Sequence, residues 1–430
     1  MSFAELWESL LPIGRDPGTG GYRRFSWTAA DAECRAWFIR AASERGLPVT
    51  PDKNGNLWAW WDTQATSPNA PPTSSAPPTS SANREILGYF GAGGAIAVGS
   101  HLDSVPDGGA FDGPLGVVSA FAAIDLLRER GFVPARPIVV AAFSEEEGAR
   151  FGVACLGSRL LTGAMRPDAA RELRDDSGIT LAEAMAAAGH DPGLLGEDDE
   201  LLSRLAVFVE LHVEQGRALV DKDAAIGIAA GIWPHGRWRL DFTGKPDHAG
   251  TARLADRHDP MLPYAVAVLA ARRVASDYGT RATFGKVLAE PGAANAVGSV
   301  VRAWLDARAP DEEALQRTVA TIRSEVELVC AEHGVTFRLR RESVTPVVEF
   351  DAGLRDRMAA VLAARGIKAP VLPTQAGHDA GILAARLPTA MIFVRNPTGV
   401  SHAPDEHAES SDCEAGVAAL AAILEDLASS

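Results

Sequence analysis

Cysteine is scarce and scattered in this sequence: Cys34, Cys155, Cys330 and Cys413 are the four, and no two form a C-x-x-C pair. That spacing excludes a thiolate zinc site and a disulfide framework, so any metal must be held by His and carboxylates. Basic residues are in deficit, 41 Lys plus Arg against 56 Asp plus Glu, for a formal charge of −15. A nucleic-acid-binding role, which needs a basic footprint, is excluded on that ground. No apolar run nears the roughly 20 residues needed to cross a bilayer. Residues 1–11 carry Glu5 and Glu8 where a secretory signal would carry Lys or Arg, so the expectation is a cytoplasmic protein with no membrane partner. Large apolar residues are missing from residues 66–82, where APPTSS occurs twice in tandem. Such a Pro/Ser/Thr tract cannot bury a core, and a disordered surface loop inserted between two strands is the expectation.

What is present is an ordinary globular composition, 47% hydrophobic and 23% charged over 430 residues, enough for two or three domains. Short apolar runs at residues 95–98, 138–143, 206–211 and 390–394 are too short for helices and lack strict alternation, as strands buried on both faces should. Helical periodicity separates them: residues 115–130 stop at Gly131, and residues 412–427 begin with a capping box, Ser411 and Glu414 at the S-x-x-E spacing. Strands alternating with helices imply an α/β fold with a mostly parallel sheet. Residues 237–243 instead alternate Trp238, Leu240 and Phe242 with polar positions, and the segments that follow read helix, strand, strand, helix, strand up to residue 341. That β-α-β-β-α-β order is the order of a ferredoxin-like sandwich. The expected organisation is a catalytic domain over residues 1–231, an inserted α+β domain over 232–346, and the rest of the catalytic domain over 347–430.

The His and acidic residues fall in a telling place. His101 follows the first apolar run in SHLDS, Glu145, Glu146 and Glu147 follow the second, His212 ends the third in ELHVEQG, and His402 follows the fourth in GVSHAPDE. All lie just beyond the carboxyl ends of strands, the edge where crevices form in an open parallel sheet. Asp112, flanked by glycines in GGAFDGPLG, starts a helix. A lone His at a strand end is commonly a loop residue, and EEE is commonly a solvated acidic run. Five such elements on one edge make a shared site the better account. Three His with two or more carboxylates suit zinc, cobalt or manganese. Five ligands exceed what one tetrahedral catalytic site uses, which points to two divalent ions sharing a bridging Asp. Asp103 is placed to orient His101, and Glu406 to act similarly near His402. His190, His235, His258, His333 and His407 lack this context.

These motifs resemble the dinuclear-metal amidohydrolases that include N-carbamoyl-L-amino acid hydrolase, β-ureidopropionase and allantoate amidohydrolase, relatives of aminoacylase and zinc peptidases. GSHLDSVPDGGAFDGPLGV, EEEGARF, ELHVEQG, DHAGT, QAGHDA and GVSHAPDE occur in family order from about residue 25 onward. The resemblance implies that His101, Asp112 and His212 hold one metal while Asp112, Glu147 and His402 hold the other, with Glu146 as general base. It implies that the inserted domain is a lid and dimerisation domain carrying His248, Asn295 and Arg308, and that Gln215 and His378 line the same substrate pocket. It also implies a homodimer in which His248 serves the partner subunit's site. Two departures stand out: Asn295 is followed by Ala296, Val297, Gly298, Ser299 and Val300 where the family commonly has N-x-x-P-G-E, and Arg253 replaces a usual Pro. Both bear on substrate identity and leave the metal chemistry alone.

The implied reaction is hydrolysis of a ureido or amide bond in a small carboxylate-bearing substrate. Allantoate is the preferred substrate, on the likeness of GGYRRFSWT and NGNLWAWW to allantoate amidohydrolases, with N-carbamoyl-L-amino acids next. An aminoacylase or dipeptidase follows. A non-catalytic binding protein on this scaffold would be expected to have lost a ligand or the base, yet every expected position is occupied.

Overall fold

Four buried strands, Ile138–Phe143, Ala95–His101, Leu205–Val213 and Thr389–Val394, lie side by side in that order and pair in parallel. Every residue in them is buried, as strands covered on both faces require. Antiparallel strands flank them: Leu57–Trp61 and then Val49–Pro51 on one side, and Ile226–Ile232 on the other. This mixed α/β arrangement, seen in a computed structural model, is the large, mostly parallel sheet that the alternation of strands and helices predicts. The structure describes residues 2–62 and 94–429, so the APPTSS tract lies outside the described residues. The chain divides into two units, Met1–Ala230 with Glu349–Ser430, and Gly231–Val348.

Alternation along the strands sorts their side chains between faces. Ile96, Val98, Val140, Val209, Leu211 and Ile392 join one apolar cluster with the helices Pro114–Glu129 and Ser410–Ala428. Pro114–Glu129 starts behind Gly113, at φ +81°, with Pro114 in its first turn, and ends before Gly131, at φ +72°. Pro suits a position whose N–H has no helical partner, and Gly suits the left-handed exit. The closing helix differs from expectation. It begins at Ser410 with Glu409 as its N-cap and no side-chain cap bond, so Ser411 and Glu414 do not form a capping box. Asp412 instead accepts two hydrogen bonds from the Arg395 guanidinium, at 2.8 and 2.9 Å, tying the helix to the end of the Thr389–Val394 strand. On the other face of the sheet the short helix Asp379–Leu383 packs on Leu205–Val213 and Thr389–Val394 and touches Leu156–Leu161.

The Gly231–Val348 unit holds a four-stranded antiparallel sheet in the order Thr336–Thr345, His235–Thr243, Val300–Arg308, Arg281–Glu290. Its helices are Met261–Tyr278 and Glu312–Glu332, and the chain order is β-α-β-β-α-β. Trp238, Leu240 and Phe242 enter its core with Val301, Leu305 and Ala307, against Ala267, Val274, Leu315 and Ile322 of the helices. Buried and half-buried positions alternate strictly through Val300–Arg308, the mark of a sheet covered on one face.

Candidate active site

Because the central strands run in parallel, their carboxyl ends bring the motif residues to one edge. His101 ends its strand, His212 is the last but one residue of Leu205–Val213, and Glu145, Glu146 and Glu147 follow Ile138–Phe143. Asp112 sits between them at the start of Pro114–Glu129. Its Oδ1 lies 3.1 Å from His212 Nε2 and 3.5 Å from His101 Nε2, while its Oδ2 lies 3.4 Å from His402 Nε2. Glu147 Oε2 is 3.6 Å from the same His402 nitrogen. Three candidate metal-ligating groups occur among the described residues: His101/Asp112/His212 and Asp112/Glu147/His402, with Asp112 common to both, and Glu210/His212/His378.

The backbone around these residues is shaped for them. A Cβ on Gly113 would stand 2.4–2.5 Å from the His101 ring, so only glycine allows the Asp112 loop to press against that imidazole. Glu406 Oε1 accepts from the N–H groups of Phe111 and Asp112 at 3.0 and 2.9 Å, which fixes the loop. Glu406 therefore supports Asp112, where the sequence pattern suggested the His402 imidazole. The Asp103 carboxylate likewise accepts from the N–H groups of Glu146 and Glu147, at 3.2 and 3.1 Å. Asp103 does face His101 Nδ1, with its main-chain carbonyl at 3.0 Å and its carboxylate Oδ1 at 3.5 Å, and Val213 O accepts from His212 Nδ1 at 2.9 Å. A carbonyl only accepts, so both Nδ1 atoms carry a proton, and Nε2 is the nitrogen of each ring left to face a metal ion. Those Nε2 atoms are buried without a hydrogen-bond partner.

Electrostatics point the same way. Burial opposes charge on His101, yet the Glu146, Asp103 and Asp112 carboxylates outweigh it and raise its pKa well above the ordinary imidazole range. Burial pushes Glu146 well up and Glu147 to about 7, with neighbouring carboxylates adding to both. Asp112 is held well below the carboxylate range because the imidazoles of His101, His212 and His402 overcome its burial. His402 rises to about 9, chiefly through its hydrogen bond to Asp112. Buried carboxylates outnumber the imidazoles here, and cations are what such a cluster lacks. Imidazole Nε2 atoms beside carboxylate oxygens are a donor set that fits borderline divalent metal ions, which would take the place of the protons this cluster holds without them.

Two further expected residues, Gln215 and His378, lie at this cluster. Gln215 Nε2 donates to Asp112 Oδ2 at 2.7 Å and to Ser401 Oγ at 3.0 Å. His378 is buried with its ring edge-on to His212, centroids 4.5 Å apart, and burial followed by His212 depresses its pKa well below the usual value. In the Gly231–Val348 unit, His248 and Asn295 sit at the pairing of Asp247–His248 with Ala296–Val297, and Ala249 N–H donates to Asn295 O at 3.0 Å. His248 Nδ1 accepts from the N–H groups of Gly250 and Thr251 at 3.0 and 3.1 Å. Its Nε2 is therefore the protonated nitrogen, and the ring is exposed. Arg308 Nε donates to Asp306 Oδ1 at 2.9 Å, on the same face of their strand.

Sequence reasoning missed a buried layer beneath the cluster. Glu210 accepts from Ser100 Oγ at 2.7 Å and from Ala380 N–H at 3.0 Å, and Asp379 accepts from Ser158 Oγ at 2.5 Å. Glu210 was readable, since it lies two residues before His212 and so shares its face. Asp379 and Ser158 meet only through the packing of two short helices.

Residues 97–426 match the model of the peptidase family M20/M25/M40. The chain is 34% identical over 422 residues to an N-carbamoyl-L-amino acid amidohydrolase of Geobacillus stearothermophilus, covering 96% of each. It is 31% identical over 335 residues to an allantoate amidohydrolase of Bacillus subtilis, covering 77% of this chain and 81% of that one. Among solved structures, an amidase of the hydantoinase/carbamoylase family from Burkholderia multivorans superposes with a TM-score of 0.82 at 28% identity, over 100% of this chain and 98% of that one.

Proposed function

The chain belongs to the peptidase family M20/M25/M40 and is a hydrolase of carbon–nitrogen bonds other than peptide bonds, and on that premise we propose that it cleaves the ureido group of a small carboxylate-bearing substrate, allantoate first. The observation that carries the reading is the sharing of Asp112 between two candidate metal groups with Glu146 beside them, its Oε2 3.7 Å from His101 Nε2. In this proposal His101, Asp112 and His212 hold one divalent ion and Asp112, Glu147 and His402 a second, whether zinc, manganese or cobalt. Such ions supply Lewis acidity, polarising the ureido carbonyl and acidifying water.

The chain's own groups supply the rest. Glu146, buried and with a raised proton affinity, takes the proton of the attacking water and returns it to the departing nitrogen. Water adds to the ureido carbon and one carbon–nitrogen bond breaks, giving the amine and a carbamate; the released carbamate then loses its remaining carbon–nitrogen bond spontaneously to yield ammonia and carbon dioxide. The Nε2–H of His248, fixed as a donor by two backbone amides, stabilises the oxyanion. Arg308 pairs with the substrate carboxylate, for which a planar guanidinium suits better than an ammonium. Gln215, Asn295 and His378 contact the remainder of the substrate. The inserted unit acts as lid and dimerisation surface, so that the partner subunit's His248 completes each site. The setting is cytoplasmic; all four cysteines are unpaired and buried, and no helix among the described residues is long and apolar enough to cross a membrane.

The second reading, an N-carbamoyl-L-amino acid hydrolase, is favoured by the 34% identity to the Geobacillus enzyme over 96% of both chains. Ammonia release from allantoate, N-carbamoyl-L-amino acids and β-ureidopropionate, each with manganese, cobalt or zinc, tests both. Turnover of allantoate above the others is expected. No ammonia from any of these compounds, with N-acyl amino acids hydrolysed in a parallel assay of amino acid release, would overturn both readings.

A further inference from the structure

After the acidic run the chain turns at Gly148 and comes back beside it. Three successive N–H groups dock on the acidic segment: Cys155 N to Glu146 O at 2.6 Å, Leu156 N to Glu145 O at 3.0 Å and Gly157 N to Ser144 O at 2.9 Å. The turn is tight, since a Cβ on Gly148 would stand 2.6 Å from Ala154 N. Cys155 itself lies at φ +55°, ψ +38°, a left-handed conformation uncommon for a residue other than glycine. In that pose its Sγ lies 3.2 Å from Glu146 Oε1. Among the described residues this is the one hydrogen bond made to the Glu146 carboxylate, whose other oxygen faces His101.

We propose that Cys155 is a positioning residue for the general base, its thiol holding one carboxylate oxygen of Glu146 so that the other stays turned toward the site; this rests on the role given to Glu146 above. A cysteine kept for packing has apolar neighbours, whereas this one is buried against a carboxylate. It is a donor rather than a nucleophile or a ligand. Burial, with the Glu146 and Asp379 carboxylates beside it, raises the thiol pKa well above its ordinary value, so the sulfur keeps its proton. A thiol donates weakly, so it selects a rotamer of Glu146 without occupying the oxygen that faces the site. Left unheld, the carboxylate samples other rotamers and only a fraction of encounters find the base in place.

The test uses the full-length, metal-loaded enzyme with the substrate that the ammonia assay identifies. Cys155→Ala is expected to lower kcat about tenfold with KM, metal content and thermal midpoint unchanged, and Cys155→Ser, which restores a donor, to recover most of the loss. An unchanged kcat in Cys155→Ala, or equal losses in both variants, would overturn the inference. A measurement without substrate stands beside it: the infrared S–H stretch of Cys155, isolated by subtracting the Cys155→Ala spectrum, is expected to move toward the free-thiol position when Glu146→Ala removes the acceptor. A band that does not move overturns the inference whatever the substrate. A shifted band in an enzyme that hydrolyses no ureido compound would count against the proposed reaction and leave the contact standing.

Discussion

Glu146 and Glu147 are adjacent and chemically alike, yet their surroundings differ, and the proposed function gives them different tasks. Glu147 Oε2 is 3.6 Å from His402 Nε2, within a candidate metal group, whereas Glu146 is held by a thiol and faces His101. Glu146→Gln is expected to keep its full metal content while turnover falls roughly 100- to 10,000-fold, because the amide preserves shape and cannot accept a proton. Glu147→Gln is expected to lose metal. Metal analysis of both variants beside their kinetics checks the split, and equal metal loss would show that the two glutamates had been assigned wrongly. EEE in a sequence cannot tell its members apart. The distinction comes from backbone direction: Glu145 at φ +54° turns away, and its Oε1 accepts from the Arg150 and Phe151 N–H groups.

Elements matter here through how firmly they hold the residues at their ends. The loop to His402 leaves the Thr389–Val394 strand through Arg395, whose guanidinium grips Asp412 at the start of the last helix. Asp412 is 3% exposed, so Arg395→Ala would strand a buried carboxylate. A loss of about 2 kcal/mol in unfolding free energy is expected, measurable by urea titration, and a loss under 0.5 kcal/mol would show that the pair is solvated and idle. This interaction also explains why the capping box expected at Ser411 is absent. The helix begins two residues earlier, and the pattern S-x-x-E falls inside it. Local spacing is a weak constraint when a tertiary ion pair sets where a helix starts.

The proposed homodimer has His248 serve the other chain's site, and subunit mixing tests that directly. Glu146→Gln and His248→Ala subunits are each expected to be inactive alone. In a heterodimer one site keeps its own Glu146 and receives an intact His248 from the other chain, so up to about half of the native activity per dimer should return if the sites are independent. No recovery after verified subunit exchange would place His248 in its own chain's site or outside catalysis.

From the sequence alone came the parallel sheet, because continuous apolar runs separated by helical segments admit few other arrangements, and with it the edge at which His101, Asp112, Glu147, His212 and His402 would meet. The order β-α-β-β-α-β of the Gly231–Val348 unit was legible for the same reason: strict alternation through Trp238, Leu240 and Phe242 marks a sheet covered on one face. Only the tertiary structure decided that main-chain carbonyls of Asp103 and Val213 orient the imidazoles, since carbonyls carry no sequence signature, and that Glu406 turns to the backbone amides of Phe111 and Asp112. It alone brought Ser158 to Asp379 and Cys155 to Glu146. Those pairs join segments whose closeness depends on left-handed turns and on packing across the sheet, and the spacing of residues along the chain holds no record of either.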